Sequence, residues 1–205
     1  MFGLYIAFIT GIYYLMFTTF GPLFKNVYGF GPGPGGLTYL GMGIGFLIAT
    51  FLGGNVGNKI YHHLAAKNGG KGIPEHRLPP LIFGSFFIPV GLFWYGWSAE
   101  ARIHWIMPIL GTGIFGFAFT TVFLPVQLYA ADAFKFAASA ISAVAVLRSI
   151  LGFAFPLFGQ AMYDKLGTGG GNSLLAGLSI VLGIPFPIWI YYYGERFRLR
   201  SNVDR

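Results

Sequence analysis

Arg148 stands where its surroundings demand an explanation for it. Its nearest charged neighbours along the chain are Lys135 and Asp164, and everything between is uncharged. A guanidinium at the centre of an apolar helix costs about 2.5 to 3.5 kcal/mol on insertion scales, so the group needs either partners or a wet cavity. Two roles fit that requirement. Arg148 is either hydrogen-bonded to carbonyls and side chains of neighbouring helices, or it lines a cavity and meets a solute or coupling ion. Tyr13, Tyr14, Phe123, Gln127 and Ser142 are further candidates for solute contact, on stretches of the same uncharged kind. Aromatic faces suit large apolar bodies and cations, through stacking and cation–π attraction. With 23 Phe, 12 Tyr and 4 Trp in the chain, most aromatic residues must simply pack.

Other chemistries lack their residues. Cysteine is absent, which removes disulfides, thiolate metal sites and thiol nucleophiles together. Of the four histidines, His62, His63 and His76 share one polar segment without a carboxylate cluster, and His104 lies near a stretch end. No metal site is expected, no buried base faces a serine for nucleophilic catalysis, and no enzyme is expected. The glycine clusters Gly31 to Gly36 and Gly167 to Gly171 do not continue into Gly-Lys-Ser/Thr. A phosphate loop needs that lysine and hydroxyl, so both clusters are expected to be turns and no cofactor is implied.

The elements that position these residues follow from composition. The chain has 205 residues, 55% hydrophobic and 9% charged, with mean hydropathy +0.67. Soluble domains carry about 25% charged residues, so this protein belongs in a bilayer. Uncharged stretches run from Phe2 to Phe24, Asn26 to Asn58, Leu78 to Ala99, Ile103 to Ala131 and Leu166 to Gly194, and Phe136 to Tyr163 is interrupted by Arg148 alone. Each is long enough to cross a hydrocarbon core of ~30 Å as a helix. Apolar character on every face excludes barrel strands, which alternate. The first stretch is too long for a signal-peptide core. The fold class is therefore an all-α integral membrane bundle of six transmembrane helices.

Its expected organisation is helices 1 and 2 over residues 1–57, a basic loop over 58–80, helices 3 to 6 over 81–194 and a basic tail over 195–205, all one unit. Lys59, Lys67, Lys71, Arg77 and Lys135, with Arg196, Arg198, Arg200 and Arg205, fall on one side; Lys25, Arg102 and Lys165 fall on the other. Cytoplasmic loops hold the excess of Lys and Arg, so both termini are expected in the cytoplasm. Trp94, Trp97 and Trp105 would mark the outer interface. Basic residues divided among loops beside apolar spans suit lipid headgroups and not nucleic acid, which needs one grouped basic face.

Conformational roles are expected elsewhere. Gly41, Gly45, Ala49, Gly53 and Gly57 recur every four residues, a ridge that permits close backbone approach between helices in lipid. It is a static packing face or a surface along which helices shear. Glu75 and Arg77 are candidates for a charge latch in the basic loop. None of the six carboxylates lies mid-span; Asp132, at a span end, is the nearest to a proton carrier or gate.

Several short motifs resemble one family. Tyr129-Ala-Ala-Asp132, Ala137-Ala-Ser-Ala140, Leu147-Arg-Ser149, Gly152-Phe-Ala-Phe-Pro-Leu-Phe158 and Met162-Tyr-Asp-Lys-Leu-Gly167 resemble the tenth and eleventh helices of major facilitator transporters. Pro74-Glu-His-Arg-Leu78 resembles the loop between the eighth and ninth helices in the fungal drug:proton antiporter branch, which includes multidrug and polyamine exporters. Gly11-Ile-Tyr-Tyr-Leu15 resembles the seventh helix, and Ile184-Pro-Phe-Pro187 with Tyr193-Gly194 the twelfth. The resemblance implies the C-terminal half of a twelve-helix protein. It further implies alternating-access transport of drug-like, cationic or amphipathic compounds, with protons as coupling ions, at the plasma membrane. The partners implied are the bilayer, a small-molecule substrate, and the missing N-terminal half or a second copy of this chain. The alternative expectation is a multi-pass membrane protein that interacts but does not transport.

Overall fold

A computed structural model describes residues 2–133 and 137–201; Lys135, Asp204 and Arg205 lie outside the described residues, and the side chains from 195 onward are not described. The described residues form α1 (Phe2–Tyr28), α2 (Pro32–Leu37), α3 (Leu40–Lys67), a 3-10 turn (Pro74–Arg77), α4 (Leu78–Glu100), α5 (Ile106–Ala133), α6 (Ala137–Leu178), a π turn (Ser179–Gly183) and α7 (Pro185–Ser201). No strand occurs among them. The protein is all-α, as apolar runs in lipid require, because a helix satisfies its own backbone polar groups.

Among the described residues five segments are long and apolar enough to cross a membrane: Gly3–Tyr28, Pro32–Lys67, Pro74–Glu100, Ile106–Ala133 and Ile141–Gly194. The last has 54 residues, which as one straight helix would reach about 80 Å at 1.5 Å per residue. Gly167 breaks it, with φ 72° and ψ 173°. Beyond that point the chain doubles back: the Tyr163 hydroxyl lies 3.3 Å from Asn172 Oδ1, and a Cβ at Gly171 would lie 2.6 Å from Tyr163 Cδ1, although along a continuous helix the backbones of residues 163 and 172 would stand about 13 Å apart. The first arm packs on α1, where a Cβ at Gly159 would lie 2.9 Å from Leu15 Cγ; the second packs on α4, where a Cβ at Gly96 would lie 2.6 Å from Asn172 Cβ. Five continuous segments thus supply the six crossings expected.

The glycine clusters behave differently from the turns expected of them. Pro32 to Leu37 forms the short helix α2, with Pro32 at its first position, where a missing backbone donor costs nothing. In the second cluster only Gly167 leaves helical geometry, and the following arm starts at once. Its Gly169 N–H donates to Glu100 Oε2 at 3.0 Å, so the carboxylate closing α4 caps the next helix and complements its dipole.

Helix ends also depart from the charge breaks. α3 runs on to Lys67 and α7 to Ser201, past the expected boundaries at 57 and 194, since a helix leaving the bilayer need not end there. The extension of α3 keeps Asn58 and Tyr61 on a rigid element. The core is built on α1, whose Ile6, Ile9, Ile12, Leu15, Met16, Phe20 and Phe24 are essentially inaccessible. Conversely, Leu47, Phe51 and Leu52 of α3, with Ile150, Phe153 and Leu157 of α6, are widely exposed, as faces turned to lipid or to another bundle would be.

Candidate functional site

A cleft of about 410 Å³ opens near the middle of the bundle. α1 contributes Thr10, Tyr13 and Tyr14, and α3 contributes Phe46. Phe119, Thr120 and Phe123 come from α5, and Arg148 from the first arm of α6. Gly152 makes the junction possible, since a Cβ there would lie 2.7 Å from Tyr14 Cδ2. The rings form a continuous wall. Tyr13 stacks on Phe119 at 4.8 Å, and Phe119 on Phe123 at 5.7 Å with planes 14° apart. Arg148 is half-buried, with its Cζ 5.2 Å from the Phe123 ring centroid. Among the described residues its guanidinium meets no carboxylate and no hydrogen-bond acceptor.

Arg148, Tyr13, Tyr14 and Phe123 therefore stand together on one cleft. Gln127, half-buried one turn beyond Phe123, and Ser142, exposed on α6, do not line it. Thr10, Phe46, Phe119 and Thr120 were not among the sequence candidates. Helical spacing was the usable signal: Thr10 precedes Tyr13 by three residues and Phe119 precedes Phe123 by four, which puts each pair on one face.

A second cluster closes one end of the bundle. Arg77 Nε donates to Asp132 Oδ2 at 3.0 Å and its Nη1 to Asn58 Oδ1 at 3.0 Å. Its Cζ also lies 4.1 Å from the Tyr61 ring centroid. The expected pairing of Arg77 with Glu75 is not the one formed. Glu75 is 3% exposed and lies against Gly194 of α7, whose Cβ would be 3.6 Å from Glu75 Oε1. The 3-10 turn explains the difference: it sends these two side chains in different directions, one to α3 and α5 and the other to α7. Arg77 and Asp132 are only 18% and 35% exposed. A double-mutant cycle of Arg77→Ala and Asp132→Asn should give a coupling of about 1 kcal/mol in thermal unfolding. A coupling near zero would show a merely solvated pair.

The glycine ridge of α3 divides in two. Gly41 and Gly45 press on α5, where a Cβ on Gly45 would collide with the Gly113 carbonyl oxygen and lie 2.9 Å from Phe117 N. Ala49 is fully buried. Gly53 is looser, its nearest atom being Leu124 Cδ1 at 3.9 Å.

Residues 1–156 match the family profile described as Major Facilitator Superfamily. The chain belongs to that superfamily. It is 48% identical over 205 residues to the MFS transporter cpaT of Aspergillus oryzae, covering 100% of this chain and 41% of that protein. To the MFS-type transporter tndD of Aspergillus flavipes it is 48% identical over 204 residues, covering 96% of this chain and 37% of the relative. To the efflux pump vrtL of Penicillium aethiopicum it is 45% identical over 201 residues, covering 98% and 40%. The chain thus spans about two fifths of the length of the curated relatives it matches. No solved structure matches. Family membership and the apolar helices together make this major facilitator chain an integral membrane protein, of a superfamily whose matched members are named transporters and efflux pumps.

Proposed function

We propose that this chain is the C-terminal half of a major facilitator transporter that moves drug-like amphipathic compounds by alternating access. The observation that carries the proposal is the mid-bundle cleft, to which four helices distant in sequence contribute aromatic rings and one guanidinium. Transporters of this build bind substrate near the midplane, where two six-helix halves meet, and rock one half against the other. The six crossings, the motif resemblances and the relatives' greater length support the assignment to one half. The facing wall then comes from six further helices or from a second copy, and the exposed apolar faces of α3 and α6 are where either would pack.

The branch resemblance extends the proposal to xenobiotics and to exchange against protons; it also points to polyamines, which the guanidinium lining the cleft, without a carboxylate among the described lining residues, does not favour. No carboxylate lines the cleft among the described residues, so a proton carrier would sit in the other half. Arg77, bonded to Asn58 of α3 and Asp132 of α5, ties the two helices at the basic end and acts as a latch that opens and closes with the cycle. The basic distribution supports cytoplasmic termini, and the plasma membrane is the proposed residence on the branch resemblance alone. Transport, not catalysis, is the activity assigned.

Flux in proteoliposomes tests this directly. The chain is reconstituted alone, and together with the complementary helices of cpaT, with fluorescent amphipathic dyes of both charges. Saturable flux in either preparation is expected. Its absence from both would leave a membrane protein that interacts without transporting.

A further inference from the structure

The cleft is charged on one side only. Arg148 is its one formally charged lining residue among those described, and no Asp or Glu joins it. A guanidinium carries five N–H donors in a planar fork, and here its one recorded contact is the face of Phe123. A cation held half-buried with its donors unpaired is costly unless something else completes its solvation.

Thr10 supplies an independent observation. Its hydroxyl oxygen is buried without a hydrogen-bond partner, the residue is 2% exposed, and it lines the same cleft. Threonine hydroxyls in helices ordinarily return to a carbonyl in the preceding turn. Thr18, Thr19, Thr50, Thr112 and Thr121 all do so in this bundle. Thr10 does not, so a residue lining the cleft carries a buried hydroxyl with no protein partner among the described residues.

We propose that this cleft selects an aromatic substrate bearing an oxyanion, such as a carboxylate, phenolate or enolate. Oxygen atoms of the anion take the Arg148 N–H donors and the Thr10 hydroxyl, in the charge-assisted geometry at which guanidinium excels. The aromatic body lies along Tyr13, Phe119 and Phe123, whose stacked rings form a flat wall of the right chemistry. This rests on the transport proposal and narrows its substrate class. It also opposes the polyamine expectation, because a polycation entering here meets a like charge and, among the described lining residues, no carboxylate.

The test uses the chain in lipid nanodiscs and three probes sharing one scaffold: 2-naphthoate, methyl 2-naphthoate and 2-naphthylmethylammonium. Binding is read by equilibrium dialysis against empty nanodiscs. The carboxylate should bind about tenfold or more tightly than the ammonium. Arg148→Gln should remove that preference while leaving ester binding within about twofold, and Arg148→Lys should restore part of it. Thr10→Val, nearly isosteric, should weaken the carboxylate about threefold and not the ester. Decanoate, an anion without a ring, should compete more weakly than 2-naphthoate.

Equal or better binding of the ammonium, or a carboxylate preference that survives Arg148→Gln, would overturn the anion assignment and leave the transport proposal standing. Equal competition by decanoate would overturn the aromatic part. Binding of none of the probes would remove the cleft as an anion site and this inference with it, while dye flux by the chain together with its complementary helices decides the transport proposal separately. Should Arg148→Gln fail to fold, the carboxylate-to-ammonium ratio of the unaltered chain and the Arg148→Lys variant decide.

Discussion

Leu in place of Arg148 should stabilise the bundle and silence transport. On the proposed reading the two effects have opposite signs, because the arginine is held for a ligand and not for the fold. Its insertion penalty is about 2.5 to 3.5 kcal/mol at a helix centre, and among the described residues it recovers only the aromatic contact with Phe123. Leu is shorter and gives up that contact, but as an apolar side chain it removes the larger penalty, so unfolding of the variant should shift upward by several degrees. Transport by the chain together with its complementary helices should fall about tenfold or more, since a charge-assisted contact made with substrate is lost. Membrane abundance should be unchanged. An arginine that served the fold would show the reverse: lower stability, and transport per folded molecule left intact. Thermal unfolding in nanodiscs and dye flux in proteoliposomes, measured on the same preparation, separate the two.

The second large effect lies on the α3 ridge. Gly45→Val should prevent assembly of the bundle, whereas Gly53→Ala, on the same ridge, should stabilise it. At Gly45 the atoms that a Cβ would strike are backbone, the Gly113 carbonyl and the Phe117 amide. No rotamer change can relieve that clash, so α3 and α5 must move apart and surrender the buried packing of Met42, Ala49 and Phe115. Overpacking typically costs about 1 to 3 kcal/mol, and backbone contact on this scale belongs above that range. Gly53 faces only Leu124 Cδ1 at 3.9 Å, and Ala in a helix is favoured over Gly by about 0.5 to 1 kcal/mol. Yield of monodisperse protein and its unfolding temperature distinguish the two. A folded Gly45→Val variant of ordinary stability would show that α3 is free to separate from α5, and that the ridge is a sliding surface rather than a packed one.

The contrast between these glycines shows where sequence reasoning stops. Spacing every four residues put Gly41, Gly45, Ala49, Gly53 and Gly57 on one face, which is a local property of a helix. Which part of that face touches another backbone depends on the inclination of α5, and nothing local reports it. Gln127 and Ser142 show the same limit from another side. Both belong to helices that do contribute to the cleft, yet neither lines it. In water an amphipathic pattern marks the buried face of a helix; in lipid the outside is as apolar as the inside, so the inward face leaves no mark on composition. For that reason nothing in its own stretch of chain marks Thr10 out from the other small polar residues.

Long-range partners were equally invisible. The sequence marks Arg77 as a latch residue, but its partner Asp132 lies 55 residues away, and Glu100 caps an arm that begins after Gly167, 69 residues from the N–H it accepts at Gly169. The chain by itself determined that the protein is helical, that it crosses a membrane and that Arg148 requires an explanation. These follow from solvation, since the transfer cost of each residue is a property of that residue and its immediate run. The tertiary structure alone decided which ring Arg148 meets, that Thr10 lines the same cleft with its hydroxyl unpartnered, and that Gly167 folds one long helix into two. Those depend on how rigid helices of nearly uniform hydrophobicity rotate and tilt against one another, which is settled by the shapes of side chains at contacts far apart in sequence.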